Sequence, residues 1–541
     1  MPAPPSPTDD QRRLIMDPFH GMDEPALQAL AILACPHWLP ATAILTHFRE
    51  ELLPELPELL RLDLVRVTGS GALTVPADLR DLLLAKLLDR DKISSISARL
   101  VSVFEDGNPE SRIEAYYHQL FLAPFETSQR MFGQALSWAS EPHFAHALLK
   151  RLIDAWKEFD MRWGIKGPAA EYLRFVELLG PAHRKQPREE LAILDGLRRQ
   201  DDPFLAAHVD LRAGLILTAL NRIKRAKAAL TRAQDRFESI AYLPGCAQVS
   251  RALGRLSTKI DRYDEARAYH ERALELNREL DLPVSAAQCL QGLAEIDSFT
   301  GNLSRATERY EEAIEIMSTH GGRTAEAHTR ILFSQLLTMR GALDAASEHL
   351  HRAMQTYEII GNNLGRANCL RILATVDLEA GKLDSARDKI ATAEAEFRKL
   401  GTTSGLAACK EIYAQIEMLS GNLAAATTYL REAEAIFEKA GDRFGAANCL
   451  RDQGVVALQG NDKRQAGELL ARSAAQFEEI GAELEAALST VLAALAGRTR
   501  DVRGARRKLI NARVELPRAY QQSWTVSTGR QPTANYSLGS A

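Results

Sequence analysis

The sequence is short of the features that mark a catalytic or metal centre. Its six cysteines include no Cys-x-x-Cys pair, the spacing from which most structural zinc sites draw their ligands. No GxxxxGK[ST] occurs, so there is no loop whose backbone could cradle a phosphate with a lysine reaching the terminal groups. Gly381-Lys382 is followed by Leu383 and not by a hydroxyl residue. GxSxG, HExxH and a paired-glycine nucleotide loop are absent too. A basic excess is also lacking: 67 Lys and Arg stand against 71 Asp and Glu, a formal net charge of −4, which argues against a partner held by counterion release from nucleic acid.

Targeting and membrane signals are equally scarce. Met1 to Asp10 has neither a basic start nor an apolar core, so it reads as a tail rather than a signal peptide. Pro25 to Phe48 carries no formal charge, yet Pro36, His37 and Pro40 interrupt it, which points to two short buried helices rather than a membrane span. Scattered thiols and no secretion signal suit a reducing, cytoplasmic setting. The isolated histidines offer little. His143 and His146 follow Pro142 with only Glu141 beside them, and His349 and His351 fall on different faces of a helix. No cofactor and no metal is expected.

What is present is repetition. From Asp201 the chain restates itself every 40 residues, in eight blocks opening at 201, 241, 281, 321, 361, 401, 441 and 481. The seventh residue of a block is always alanine, from Ala207 to Ala487, and the fourteenth is always small, as in Gly214, Gly254, Ala294 and Ser334. Alanine returns at the twenty-sixth position, a large residue such as Leu230, Tyr310 or Ile390 at the thirtieth, and a small one at the thirty-third. Turns such as Gly301-Asn302 and Gly421-Asn422 separate the two sets. Spacings of three, four and seven make a helical stripe, and a glycine between stripes ends one helix and turns the chain back. Each block is therefore a helical hairpin. Alanine recurs where helices cross too closely for a longer side chain. Cys289, Cys369, Cys409 and Cys449 share the ninth position, where other blocks have Val209, Val249, Thr329 or Ser489, so they read as packing residues. Since one hairpin cannot bury its own face, the blocks must stack into a superhelix.

The small fourteenth, alanine twenty-sixth, bulky thirtieth and small thirty-third positions have the internal spacing of the tetratricopeptide (TPR) repeat, lengthened to 40 residues. Block openings such as Gly441-Asp442-Arg443-Phe444-Gly445-Ala446-Ala447, with Gly454 following, resemble the 40-residue TPR class of kinesin light chains, spindle-orientation adaptors and the sensor halves of STAND-type signalling ATPases. The fold class expected is all-α: a right-handed α-solenoid of TPR hairpins over 201–516, preceded by a small winged-helix-like domain with one β-hairpin.

That preceding domain is placed at 22–92. Helical patterns at Glu24 to Ala34, Ala41 to Phe48 and Leu53 to Leu62 are followed by β-favouring runs on either side of Gly69-Ser70-Gly71, then by helix from Ala77 to Leu88. Glu50, Glu51, Glu55, Glu58 and Asp63 outnumber Arg49 and Arg61 around the third helix, so phosphates would be repelled from it. Leu59-Leu60-Arg61-Leu62-Asp63-Leu64-Val65 and Glu114-Ala115-Tyr116-Tyr117-His118 resemble the winged-helix and connecting-helix region of STAND-type ATPases, here without the P-loop domain. Residues 93–200 read as degenerate helical pairs capping the solenoid, and 1–21 and 517–541 as disordered tails.

Positions eight, eleven and fifteen of a block lie three and four apart and share a stripe distinct from the packing stripe. Resemblance to TPR proteins implies that this stripe lines a concave, peptide-binding groove. In the middle blocks it holds Gln248, Arg251, Arg255, Gln288, Gln291, Glu295, His328, Gln335, Asn368, Arg371, Asn448 and Arg451; towards the ends it turns apolar at Leu215, Leu488, Val491 and Leu495. Amides can both donate to and accept from an extended backbone, and arginines fork onto carboxylates. The expected partner is a protein or peptide segment, acidic or presenting its C-terminal carboxylate. The function expected is a non-enzymatic adaptor or sensor in bacterial regulatory or defence signalling. Two alternatives stay open: a transcription regulator whose winged helix reads DNA, or the regulatory subunit of a split STAND-type ATPase whose NTPase or effector is a separate chain.

Overall fold

The structure, a computed structural model, describes residues 22–86, 90–105, 108–140, 144–180, 187–197 and 202–497. The expected tails, Glu141 and His143, and the second helix of the eighth block lie outside the described residues, as does the side chain of His146. The chain forms two compact units that divide between Lys185 and Gln186.

In the second unit the 40-residue beat is kept to the residue. First helices begin at the third position of every block: Pro203–Ala219, Leu243–Lys259, Pro283–Phe299, Arg323–Met339, Asn363–Glu379, Thr403–Leu419, Arg443–Gln459 and Glu483–Leu495. Second helices begin at the twenty-third: Ile223–Ser239, Tyr263–Glu279, Leu303–Thr319, Leu343–Ile359, Leu383–Leu400, Leu423–Ala440 and Lys463–Ile480. Between helices the backbone goes left-handed at one residue every 20, from Asn221, Ala241 and Asp261 through Gly301, Gly341 and Gly421 to Asn461 and Gly481. The next residue's N–H then reaches a carbonyl five positions back, as from Arg222 to Leu217 at 2.8 Å and from Asn302 to Asp297 at 2.8 Å. This closes the helix end as a Schellman turn. Glycine takes that conformation without penalty, whereas Ala241, at φ 52°, bears about 1 kcal/mol of strain or more.

Packing follows from the small residues. The eight seventh-position alanines are no more than 4% exposed. At the fourteenth position a Cβ added to Gly214 or Gly454 would come within 2.6 Å of Leu230 or Leu470, the thirtieth residue of the same block. A second pairing links neighbouring blocks. Gly245, Gly365, Gly405 and Gly445 at the fifth position each lie against the ring of Phe237, Tyr357, Phe397 or Phe437 eight residues earlier, with room for no Cβ. Where that earlier residue is Asn277 or Met317, the fifth position is Ser285 or Ala325. Buried carboxylates add polar staples. Asp297, fully buried, is held by Arg267 at 2.7 Å and by Arg309, and Glu417 takes Arg387 at 2.8 Å. All six cysteines are buried and unpaired, and burial pushes the thiols of Cys289, Cys369 and Cys409 up to about 11, 12 and 12.

The first unit opens with helices Glu24–Ala34 and Ala41–His47. The expected helix from Leu53 to Leu62 is shortened to Leu56–Arg61, with a separate turn of helix, Arg49–Leu52, before it, because Pro54 lacks the N–H that a continuous helix would need and Pro57 fits only a first turn. Strands β1 (Arg66–Val67) and β2 (Leu73–Thr74) pair antiparallel in register Arg66 to Thr74, and Leu39 bridges to Leu73 on the other side. Helix Ala77–Lys86 follows, then Arg90–Phe104, Pro109–Leu122, Pro124–Ser140, Phe144–Trp163 and Pro168–Leu179.

A charged knot ties this unit together. The His37 ring lies 3.0 Å from both Glu114 oxygens through Nδ1 and 2.8 Å from Glu158 through Nε2. Arg80 donates to the carbonyls of Ala34 and Cys35 and, at 2.8 Å, to Glu158. Burial opposes charge on His37, but the two carboxylates outweigh it and push the imidazole up to about 9, while Glu158 is held down at about 2.

Candidate functional site

In blocks one to six, successive first helices touch one another directly, while successive second helices have no comparable contact. The first helices are therefore the inner course of a curved wall. The wall closes on itself. Asn221, in the turn of the first block, donates to Asp442 at the start of the seventh over 2.6 Å, although 221 residues separate them. Lys259 also feels the charge of Asp442, and Tyr263 that of Glu485. The stack thus turns back on itself after just over five repeats, with the first helices on its inner side.

Several ionisable groups of the inner stripe are shifted from their ordinary range. Burial holds the Arg251 guanidinium below its usual range, with Arg255 adding like-charge repulsion. Burial likewise lowers Arg371. It raises Glu295 against the pull of Arg255, and lowers His328, with Arg255 contributing.

The remaining stripe residues divide into free and engaged groups. Gln248, Arg255, His328 and Gln335 are exposed, and Gln288, Asn368 and Asn448 are half-buried. Gln291 is spoken for, since Thr329 donates to its Oε1 at 2.9 Å. Arg451 is engaged most of all: it pairs with Glu485 and lies 3.5 Å from Asp452, with Phe477 beneath its guanidinium. Of the apolar end positions, Leu488 and Val491 are buried, while Leu215 is 38% exposed.

Two residues of this region escape the sequence reading. Glu411, at the eleventh position of the sixth block, stands between Arg371 and Arg451. Burial and then Asp452 push it up to about 7, and the Cys449 thiol points at it from 3.8 Å. Its place in the stripe was visible from the register alone. His270, at the thirtieth position where other blocks carry an apolar residue, is 1% exposed and wedged between Gly254 and Gly292. Burial, with Arg251 and Arg255 beyond it, pushes it down to about 4. Gly292, at position twelve of the following block, where no other block has glycine, is the matching signal.

One constellation has the residue types of a hydrolytic triad. Ser97 Oγ lies 3.0 Å from His118 Nδ1, and His118 Nε2 lies 3.5 Å from Glu114. Ser97 and His118 are fully buried, and the Glu114 carboxylate is already held by His37. A substrate cannot reach the hydroxyl, so the group is core packing. Among the described residues no cluster of His, Cys, Asp or Glu could hold a metal ion, and no helix is long and apolar enough to cross a membrane.

Fold and inner face together define a TPR-type α-solenoid, a scaffold fold. Residues 245–319 match the tetratricopeptide repeat family model. Among solved structures, the chain is similar to a STAND protein with a tetratricopeptide repeat sensor from Pyrococcus horikoshii, at 13% identity and TM-score 0.55, over 80% of this chain and 65% of that one. The chain therefore spans just under two thirds of that protein's length. It is also similar to a Rap protein solved in complex with competence and sporulation factor, at 16% identity and TM-score 0.49, over 71% of this chain and all of that one. No curated protein sequence matches it.

Proposed function

We propose that this protein is a non-enzymatic adaptor or sensor whose solenoid takes an extended segment of a partner protein into its channel. The observation that carries the reading is the inner stripe itself. Amide and guanidinium side chains line a wall that turns back on itself, and the guanidinium groups of Arg251, Arg255 and Arg371 have no hydrogen bond or ion pair among the described residues. Amides on such a wall can bond both the N–H and C=O groups of an extended chain, so sequence-tolerant grip comes from backbone recognition. The helices and hairpin of residues 24–86 then serve as a second docking unit, and a regulatory signalling role follows from joining the two. Guest capture requires the stripe, not the stack behind it.

Reversal of Arg251 and Arg371 together to glutamate should abolish retention of the native partner, identified by affinity purification from its own cell, while the thermal melt stays within a few degrees of the parent. Arg451 is left out of the test because its loss would strand Glu485 and Asp452. Unaltered retention by the double variant would reject the channel as the binding surface.

A further inference from the structure

Apart from Leu215, every large apolar side chain exposed among the described residues of the second unit sits beside a turn. Because the helices alternate in direction, the turns fall on two opposite rims of the stack, about 25 Å apart along the helices. The rim of turns inside blocks carries Phe299 and Met339, 44% and 65% exposed, each the last residue of its first helix. The rim of turns between blocks carries Leu243, Leu282, Ile359 and Leu364, of which Ile359 is 77% exposed. The chain itself brings these two rims together. Asn221, in the turn inside the first block, donates to Asp442, in the turn that opens the seventh, and Tyr263, inside the second, feels Glu485 at the start of the eighth. Each pairing joins the within-block rim to the between-block rim six blocks on. Blocks three and four come next along the first rim, and there Phe299 and Met339 stand exposed where the covered blocks have Ala219 and Lys259. Phe299 stacks on Tyr263 with ring centroids 5.8 Å apart, so the apolar surface begins where the covered part of the rim ends.

The seam within the chain is polar, and a polar seam suffices there because covalent connection keeps the two rims at high effective concentration. A separate molecule must offset its lost translational and rotational freedom, which takes apolar burial. Large apolar side chains gathered on both uncovered rims meet that requirement. We infer that a second copy of this chain docks on the uncovered part of the coil, its between-block rim at Leu243, Leu282, Ile359 and Leu364 laid against the within-block rim of the first at Phe299 and Met339. The contact joins two different surfaces and does not close on itself, so each added copy presents a free rim to the next and the assembly is an open-ended rod. This association is independent of what the inner face takes.

The test is the mass of the full chain by sedimentation velocity from about 1 to 100 µM, a range that reaches the weaker interfaces of ordinary size. The mass should climb past twice that of one chain, with no plateau at two. Met339→Glu spoils only the first rim, and Leu282→Glu with Ile359→Glu only the second. Both variants should melt as the parent does, since these side chains are exposed. Each alone should stay monomeric across the range. An equimolar mixture of the two should form one-to-one pairs and stop there, because each variant brings the rim that the other lacks. A mixture that stays monomeric would overturn the pairing of unlike rims, as would a parent that plateaus at two or a variant that assembles like the parent. A parent that is monomeric throughout would overturn the second copy as occupant, and if its Met339 also resisted peroxide, the rim would belong to another segment of the same chain.

Discussion

Gly405 tests the stacking rule most directly. A Cβ built there would lie 2.4 Å from Cδ1 and 2.6 Å from Cγ of Phe397, about 1 Å or more inside ordinary carbon contact. The ring has no exposed side to retreat to, being fully buried. Overpacking of this kind costs about 1 to 3 kcal/mol, and the helix preference of alanine over glycine returns at most about 1 kcal/mol. Gly405→Ala should therefore destabilise the junction of helices Leu383–Leu400 and Thr403–Leu419 by about 1 to 2 kcal/mol. Because a solenoid need not unfold as one unit, the readout is amide hydrogen exchange in those two helices, with exchange in Pro203–Ala219 as the internal reference. Phe397→Leu alone opens a cavity and also destabilises. In the double variant the two defects should cancel in part, with a coupling of about 1 kcal/mol or more. Strict additivity, or a Gly405→Ala protein more protected than its parent, would refute the close-approach account of the fifth position.

Two further predictions concern pH. His270 is neutral in the fold, pushed down to about 4, whereas an unfolded histidine titrates near 6.5. The unfolded chain therefore binds the proton more readily, and stability present above about pH 6.5 should drain away towards pH 4, by up to about 3 kcal/mol for this residue; thermal melts from pH 8 to 4 should fall less steeply for His270→Leu, and an identical slope would exclude His270 as the source. His37 has the opposite sign: pushed up to about 9 by Glu114 and Glu158, it contributes fully below about 6.5, and its contribution is lost as pH rises through 9. Limited proteolysis of the 35–48 segment should accelerate between pH 8 and 10 and be fast throughout in His37→Ala; a flat profile in the parent would rule the knot out as the tie.

Much of the architecture was readable without coordinates because TPR packing is local in sequence. Ala207 and its seven counterparts, the fourteenth-position small residues and the turn glycines each respond to a neighbour within about one repeat, so a 40-residue comparison exposes them. The pairing of Gly405 with Phe397 is equally legible, as covariation between the fifth position and the residue eight earlier, to which Phe477 with Glu485 is the exception. The break at Pro54 is masked in the sequence by the helical leucine spacing of Leu56, Leu59, Leu60 and Leu62 that follows it. For the inner stripe, register alone selects Arg251, Arg371 and Arg451 as equivalents.

What the sequence determined by itself was the unit and its repetition: helix, left-handed turn, helix, another turn, with small residues wherever backbones must approach. Only the tertiary structure decided how far the stack curves before Asn221 meets Asp442, and with that which equivalent positions differ in charge state. Superhelical closure sums small rotations over more than five repeats, a quantity that no single repeat encodes visibly. Burial and electrostatic compensation depend on that sum. This is why the Arg451 guanidinium meets Glu485 while those of Arg251 and Arg255 meet no carboxylate at ion-pair distance among the described residues.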